Sequence, residues 1–205
     1  IYSTSTKKEI QRKNLKVFKC NFLDQSSTSR FFKKIKNINF DIVINNAGIN
    51  IINEIYNIKD QDMENIIKIN LTIPAQIIKI TSKNMIKKRQ GKIVNISSIF
   101  GSISKNKRAS YSSSKSGLIG LTKACALDLA KYNILVNSLS PGFVNTLLTN
   151  KILGKKLMKK MEKNIPIKKI ASPEDIVPYI IFLTSDYNQY ITGQNCIIDG
   201  GYTIQ

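Results

Sequence analysis

Histidine is absent from the chain. That excludes Ser-His-Asp and Cys-His machinery and histidine-ligated zinc, so any proton transfer must run through other side chains. Cysteine is scarce as well: Cys20, Cys125 and Cys196 are widely spaced and odd in number. They make neither a disulfide framework nor a tight metal cluster, and they read as small core residues of a protein kept in a reducing compartment. No apolar run approaches the ~18 residues a membrane-spanning helix needs, and the first eight residues lack the charged-then-apolar order of a secretory signal. No membrane segment is expected, and the expected location is the cytoplasm, or an organelle stroma if a targeting segment preceded residue 1. Acidic residues are few, 13 against 32 Lys and Arg, for a net charge of +19. Clustered, such an excess would suit nucleic acid. Here the lysines are scattered among Asn and Ile, with one dense group over residues 151–169, so the excess reads as solvated surface and nucleic-acid binding is not expected.

What is present suits one globular domain over residues 1–205, because 42% hydrophobic residues in a chain of 205 fill a single core. Short apolar runs at 15–20, 40–44, 92–96, 134–139 and 195–198 read as strands. Longer segments with helical spacing lie between them, at 28–35, 60–88, 110–131, 146–163 and 173–183. Alternating strand and helix predicts an α/β fold, a doubly wound parallel sheet with helices on both faces, since parallel strands need crossovers long enough to hold a helix. In such sheets ligands lie beyond the carboxyl ends of the strands, so the residues just after each strand are the candidates for chemistry.

Three such places carry suggestive residues. The strand ending at Ile44 leads into Asn45, Asn46, Ala47 and Gly48, small residues that let a flat ligand approach the backbone. The strand ending at Ile96 leads into Ser97 and Ser98, and the one near Leu139 into Ser140, Pro141 and Gly142. Tyr111 and Lys115, four apart at the start of a predicted helix, share one face. An ammonium within about 4–6 Å favours the phenolate form of a tyrosine, whose free pKa is near ~10, so the lysine can make Tyr111 an acid-base group. The Ser98 hydroxyl can both donate to and accept from a substrate oxygen. Each piece also has a plain reading: chance spacing in a helix, a serine pair at a strand end, an ordinary Pro-Gly turn. It is their conjunction, with Ser98 thirteen residues before Tyr111 and the two turns after their own strands, that points to a site.

With these residues the chain resembles the single-domain short-chain dehydrogenases/reductases, and it follows their pattern from residue 1 to residue 205. The matching segments are Asn45-Asn46-Ala47-Gly48, Ile69-Asn70-Leu71, Lys92 through Ser98, Tyr111-Ser112-Ser113-Ser114-Lys115, Pro141 through Thr146, Thr192-Gly193-Gln194 and Asp199-Gly200-Gly201. The resemblance implies a Rossmann-type sheet and hydride transfer between nicotinamide and a carbonyl or alcohol. It implies a catalytic tetrad in which Tyr111 is the general acid or base and Ser98 orients the substrate oxygen. Lys115 would lower the tyrosine pKa and bind the nicotinamide ribose, and Asn70 would hold a water in a proton relay. For the cofactor it implies Thr6, Asn21 and Phe22, then Asn46, Ala47 and Gly48 along the adenosine half, and Pro141, Gly142, Val144 and Thr146 around the nicotinamide. No metal is implied. Asn21 stands where many relatives carry an aspartate; its side-chain oxygen can accept the same bond.

Ser3, Thr4, Ser5, Thr6, Lys7 and Lys8 offer no acid for a ribose 2′-hydroxyl, so NADP(H) is preferred over NAD(H). Reduction of a 3-oxoacyl group on an acyl carrier is the leading expectation. The lysines at 155, 156, 159, 160 and 163 could meet an acidic carrier, or simply form a solvated face. The alternatives are a sugar or polyol dehydrogenase of the same family and, from a different class, a non-catalytic remnant or nucleic-acid-binding protein. The resemblance also implies a homotetramer, packed through the Tyr111 helix and the last strand. Residues 1–205 contain no glycine-rich phosphate-binding turn of the family's kind, and Ile1-Tyr2-Ser3 resembles the end of its second strand. The first βα unit, about 35–40 residues, is thus expected to be missing through truncation rather than natural loss, and the chain as it stands to bind cofactor weakly.

Overall fold

The computed structural model describes the backbone of residues 1–205, and all side chains except those of Leu148, Asn150, Lys151, Ile152, Leu153, Lys155 and Lys156. Strand and helix alternate as the hydrophobic spacing predicts. The first sheet pairs β1 (Tyr2–Ser5) in parallel with β3 (Leu15–Lys19), and β2 (Ile10–Arg12) in antiparallel with β3. Helix α1 (Gln25–Ile35) follows, with Asp24 capping it by accepting from the amides of Ser26 and Ser27.

The second sheet is wholly parallel, in the order β4 (Ile42–Asn45), β5 (Gly91–Ile96), β6 (Ile134–Pro141), β7 (Asn195–Ile198). Its crossovers are α2 (Asp60–Ile67) with α3 (Ile73–Lys88), then α4 (Ala109–Ala130), then α5 (Leu147–Lys163) with α6 (Pro173–Thr184). Helices cover both faces of β5. Ile93, 0% exposed, packs with Met85 of α3 and Ala126 and Leu129 of α4, whereas its neighbour Val94 packs with Ile176 and Leu183 of α6. This is the doubly wound α/β arrangement, and each fully buried aliphatic side chain contributes about 1.5–3 kcal/mol. Among the described residues no helix is long and apolar enough to cross a membrane.

Three features depart from the spacing argument. The strand β2 is too short and polar to register as an apolar run. Residues 60–88 do not form one helix: a π-helical turn, Lys68–Thr72, separates α2 from α3. Pro74, in the first turn of α3, has no N–H to offer the carbonyl of Asn70 four residues back, and the Ile73 amide reaches instead to the Lys68 carbonyl, five back. Third, the two sheets are separate ladders. β1 pairs only with β3 and β4 only with β5, so each presents an open edge, and on β4 the side chains alternate between buried Val43 and Asn45 and exposed Ile42 and Ile44. A strand covered on both faces would bury all four.

That asymmetry is measurable. Ile93→Ala should lower the unfolding free energy by about 2–5 kcal/mol through the cavity it leaves. Ile44→Ala, at a side chain 46% exposed, should cost well under half of that. Urea unfolding of the two variants checks this, and equal losses would mean that the outer face of β4 is covered in solution.

Candidate active site

The residues singled out from the sequence converge beyond the carboxyl ends of the strands. The π turn fastens two of those ends together: Lys68 Nζ donates to the Leu23 carbonyl after β3 at 3.2 Å, and Asn70 grips the chain after β4. Asn70 is fully buried; its Oδ1 accepts from the Ile49 amide at 2.9 Å, and its Nδ2 donates to the Ile49 carbonyl at 2.9 Å and to Ser114 Oγ at 3.0 Å. Both amide hydrogens are therefore engaged, tying the loop after β4 to α4. Next to that grip a Cβ on Gly48 would lie 3.4 Å from Asn70 Oδ1 and 3.6 Å from Lys115 Nζ, so this turn runs within van der Waals contact of both.

Ser98 follows β5 in extended backbone and caps a 3-10 turn, Ile99–Gly101, its Oγ accepting from the Phe100 amide at 3.2 Å. The turn lies flat on α4, because a Cβ on Gly101 would come 3.0 Å from the backbone of Lys115. Tyr111 is the third residue of α4 and hydrogen-bonds Ser98. Lys115, one turn on, is 4% exposed; its Nζ donates to the Ile96 carbonyl at 2.7 Å and sits 5.7 Å from the centre of the Tyr111 ring. Ser98, Tyr111, Lys115 and Asn70 thus occupy one neighbourhood, together with Gly48.

Burial raises the Tyr111 phenol above its ordinary value, while the hydrogen bond from Ser98 and the charge of Arg108 pull it back. Desolvation pushes Lys115 down to about 8. Arg108, the N-cap residue of α4, was not singled out from the sequence, although its place three residues before Tyr111 puts both on one helical face. It is 8% exposed and lies over the Phe100 ring, 5.3 Å from the centroid.

The remaining candidates line the rim. Thr6 is exposed just past β1, and Asn46 and Ala47 are exposed past β4. Asn21 is exposed past β3, its Oδ1 accepting from the Leu23 amide at 3.1 Å, whereas Phe22 is buried against Phe31 with ring centres 5.6 Å apart. At the end of β6, Pro141 and Gly142 are half-buried, with the Gly142 amide on the Ile198 carbonyl at 2.9 Å. Val144 bridges Ala171, and Thr146 caps α5 by accepting from the Thr149 amide at 3.2 Å. Of the basic group, Lys159, Lys160 and Lys163 are exposed on α5, and the side chains of Lys155 and Lys156 lie outside the described residues. No cluster of His, Cys, Asp and Glu able to hold a metal occurs among the described residues.

The family model described as enoyl-(acyl carrier protein) reductase matches residues 3–203. The 3-oxoacyl-(acyl-carrier-protein) reductase of Buchnera aphidicola subsp. Schizaphis graminum is 42% identical over 184 residues, 87% of this chain and 75% of that protein. The reductase of the same description from Aquifex aeolicus is 37% identical over 183 residues, 88% of this chain and 73% of its own. Among solved structures, a short chain dehydrogenase family protein from Francisella tularensis superposes with a TM-score of 0.92 at 32% identity, covering 100% of this chain and 88% of that one. A 4-hydroxyisoleucine dehydrogenase complexed with NADH gives 0.87 at 32% identity, with 100% and 87% covered.

The dry lysine carries a linked prediction. The unfolded chain holds a proton on residue 115 up to about pH 10.5 but the folded chain only to about 8. Between those values the unfolded state binds more protons, so unfolding free energy rises with pH, on the order of 3 kcal/mol across the window. Lys115→Met should abolish this rise and be relatively more stable at neutral pH. Urea unfolding of both proteins below and within the window checks it; parallel pH profiles would show that the lysine is not desolvated.

Proposed function

The chain belongs to the short-chain dehydrogenase/reductase family, and from that premise we propose that it reduces a 3-oxoacyl group carried as a thioester on an acidic acyl-carrier protein, with NADP(H) preferred and NAD(H) accepted. The observation that carries this reading is the gathering of Ser98, Tyr111 and Lys115 with Asn70 and Gly48 beyond the carboxyl end of β5. A dinucleotide fits what is there. The backbone at Gly48 is open beside Lys115 because no Cβ stands between them. Thr6, Lys7 and Lys8 are exposed after β1 with no carboxylate among them, which suits a 2′-phosphate. Asn46, Ala47 and Gly48 would hold the adenosine half, with Asn21 and the Phe22 backbone at its far end. Pro141, Gly142, Val144 and Thr146 would hold the nicotinamide half.

When bound, the reduced nicotinamide supplies a hydride to the carbonyl carbon of the substrate. Ser98 donates a hydrogen bond to the carbonyl oxygen and holds it in reach of Tyr111. As negative charge grows on that oxygen, Tyr111 transfers its phenolic proton to it, and the product is the 3-hydroxyacyl thioester. Lys115 holds the ribose hydroxyls and presents its charge to the face of the Tyr111 ring. Asn70 keeps the loop after β4 and helix α4 in register around the lysine. The reverse reaction uses the same groups with Tyr111 as base.

The acyl-carrier part rests on identity to the two reductases and on the exposed Lys159 and Lys160, which suit an acidic partner. The free thiols of Cys20, Cys125 and Cys196 suit work in the reducing cytoplasm. A homotetramer is supported by the apolar side chains left exposed on α6 and β7: Tyr179 at 47%, Ile181 at 60%, Phe182 at 42% and Ile197 at 39%.

Two measurements test these statements. In the full-length protein, Tyr111→Phe should lower NADPH-dependent reduction of a 3-oxoacyl carrier thioester by at least ~10²-fold while NADPH binding is kept. Retained turnover would sink the mechanism, and turnover of sugars or polyols with none of the thioester would move the substrate to the alternative class. Light scattering should give the mass of four chains, and a monomer would remove the assembly.

A further inference from the structure

Arg108 is an unusual residue to find dry. It is 8% exposed, its Nη1 is enclosed without a hydrogen-bond partner, and its guanidinium lies over the face of the Phe100 ring at 5.3 Å. Burying a guanidinium with an orphaned donor costs energy unless something nearby uses its charge. Two observations identify that something. Phe100, on which the guanidinium rests, is the residue whose amide donates to Ser98 Oγ, and Ser98 in turn hydrogen-bonds Tyr111. Arg108 also caps the helix whose third residue is Tyr111, so the cation and the phenol stand one turn apart on the same face. The arginine is held in place from its neighbour: Lys107 Nζ pairs with Glu54 Oε1 at 3.1 Å, clamping the loop after β4 onto the start of α4. Three enclosed side-chain atoms among the described residues lack partners, those of Asn50, Arg108 and Ser110, and all three lie on these two clamped segments.

We propose that Arg108 is a positioning residue: its buried guanidinium, stacked on the Ser98–Phe100 turn one helical turn before Tyr111, holds the negative charge that Tyr111 carries once it has given up its proton. Arg108 does this beside Lys115, on the same helix, whose Nζ donates to the Ile96 carbonyl at 2.7 Å and lies 5.7 Å from the centre of the Tyr111 ring. Lys107 and Glu54 neutralise each other at the surface. Of the elements packed on α4, the turn after β5 and the π turn bring Ser98 and Asn70, both neutral, and α2 carries the acids Asp60, Asp62 and Glu64. Asp199 at the end of β7 is engaged by the amides of Gly201 and Thr203. Arginine stays charged throughout the range in which a tyrosine titrates, which is the property the position requires.

The inference rests on the reading of Tyr111 as the proton-transferring residue, and its test does not use turnover. Tyrosinate absorbance is titrated in the full-length protein and in the same protein carrying Tyr111→Phe; the difference isolates Tyr111. The pair is repeated with Arg108→Met, Arg108→Gln and Arg108→Lys. The expected result is a Tyr111 midpoint raised by about one pH unit in the Met and Gln variants and restored toward the parent by Lys. Equal displacement in all three, or displacement in none, would overturn the proposal, the first because shape and not charge would be responsible. Should Met fail to fold, Gln keeps the planar polar head group and gives the same comparison. Full activity in Tyr111→Phe would condemn the mechanism and leave the titration result standing.

Discussion

The carboxamide of Asn70 is the fastening on which the site depends. It bonds both backbone groups of Ile49 and the hydroxyl of Ser114, and so joins the loop after β4, the π turn and the helix that carries Tyr111 and Lys115. A buried amide satisfied on both sides is a strong constraint, since losing any one bond leaves a dry polar group. The π turn is what delivers it there. Without the extra residue in that turn the side chain at 70 would point a different way around the helix, and Gly48 would no longer lie against Lys115.

A second polar chain runs beneath the first. Asn45 of β4 donates to Asn95 of β5 at 2.8 Å, and Asn95 donates to Thr122 of α4 at 2.9 Å, all three fully or nearly fully buried. These bonds sit inside an otherwise aliphatic layer, and they fix how far β4, β5 and α4 are displaced along one another. Such a network adds little stability but removes alternative registers. The site above it inherits that register: Asn46 to Gly48, Ser98 and Tyr111 follow directly from the three elements it joins.

The charges follow from burial. Lys115 is held in a place where its proton is weakly kept, Tyr111 where its proton is strongly kept, and Arg108 with one guanidinium nitrogen, Nη1, enclosed without a hydrogen-bond partner. The arrangement favours proton exchange over stability. It is tolerated because the centre of β5 and β6 is dry: Ile93, Val94, Ile134, Val136 and Leu139 are all 0% exposed. The outer face of β4 is the opposite case: exposed Ile42 and Ile44 show a strand whose composition suits burial on both faces but whose surroundings cover one.

Much of this could be read directly from the amino-acid order. The alternation of elements, the turns after β4, β5 and β6, and the i, i+4 relation of Tyr111 and Lys115 are local properties, set by side-chain period and by Gly and Pro chemistry. Even the break at Asn70 had a local mark in Pro74. What the order of residues did not show was distance across the chain. Nothing local says that Asn70 meets Ile49 and Ser114, that the sheet forms as two ladders, or that Lys107 reaches Glu54. Arg108 read as one more surface cation in a chain with 32 basic residues. The sequence by itself determined which residue types stand at the carboxyl end of each strand. Only the tertiary structure decided which of their charges are dry, because desolvation depends on what packs above a group and not on what precedes it in the chain.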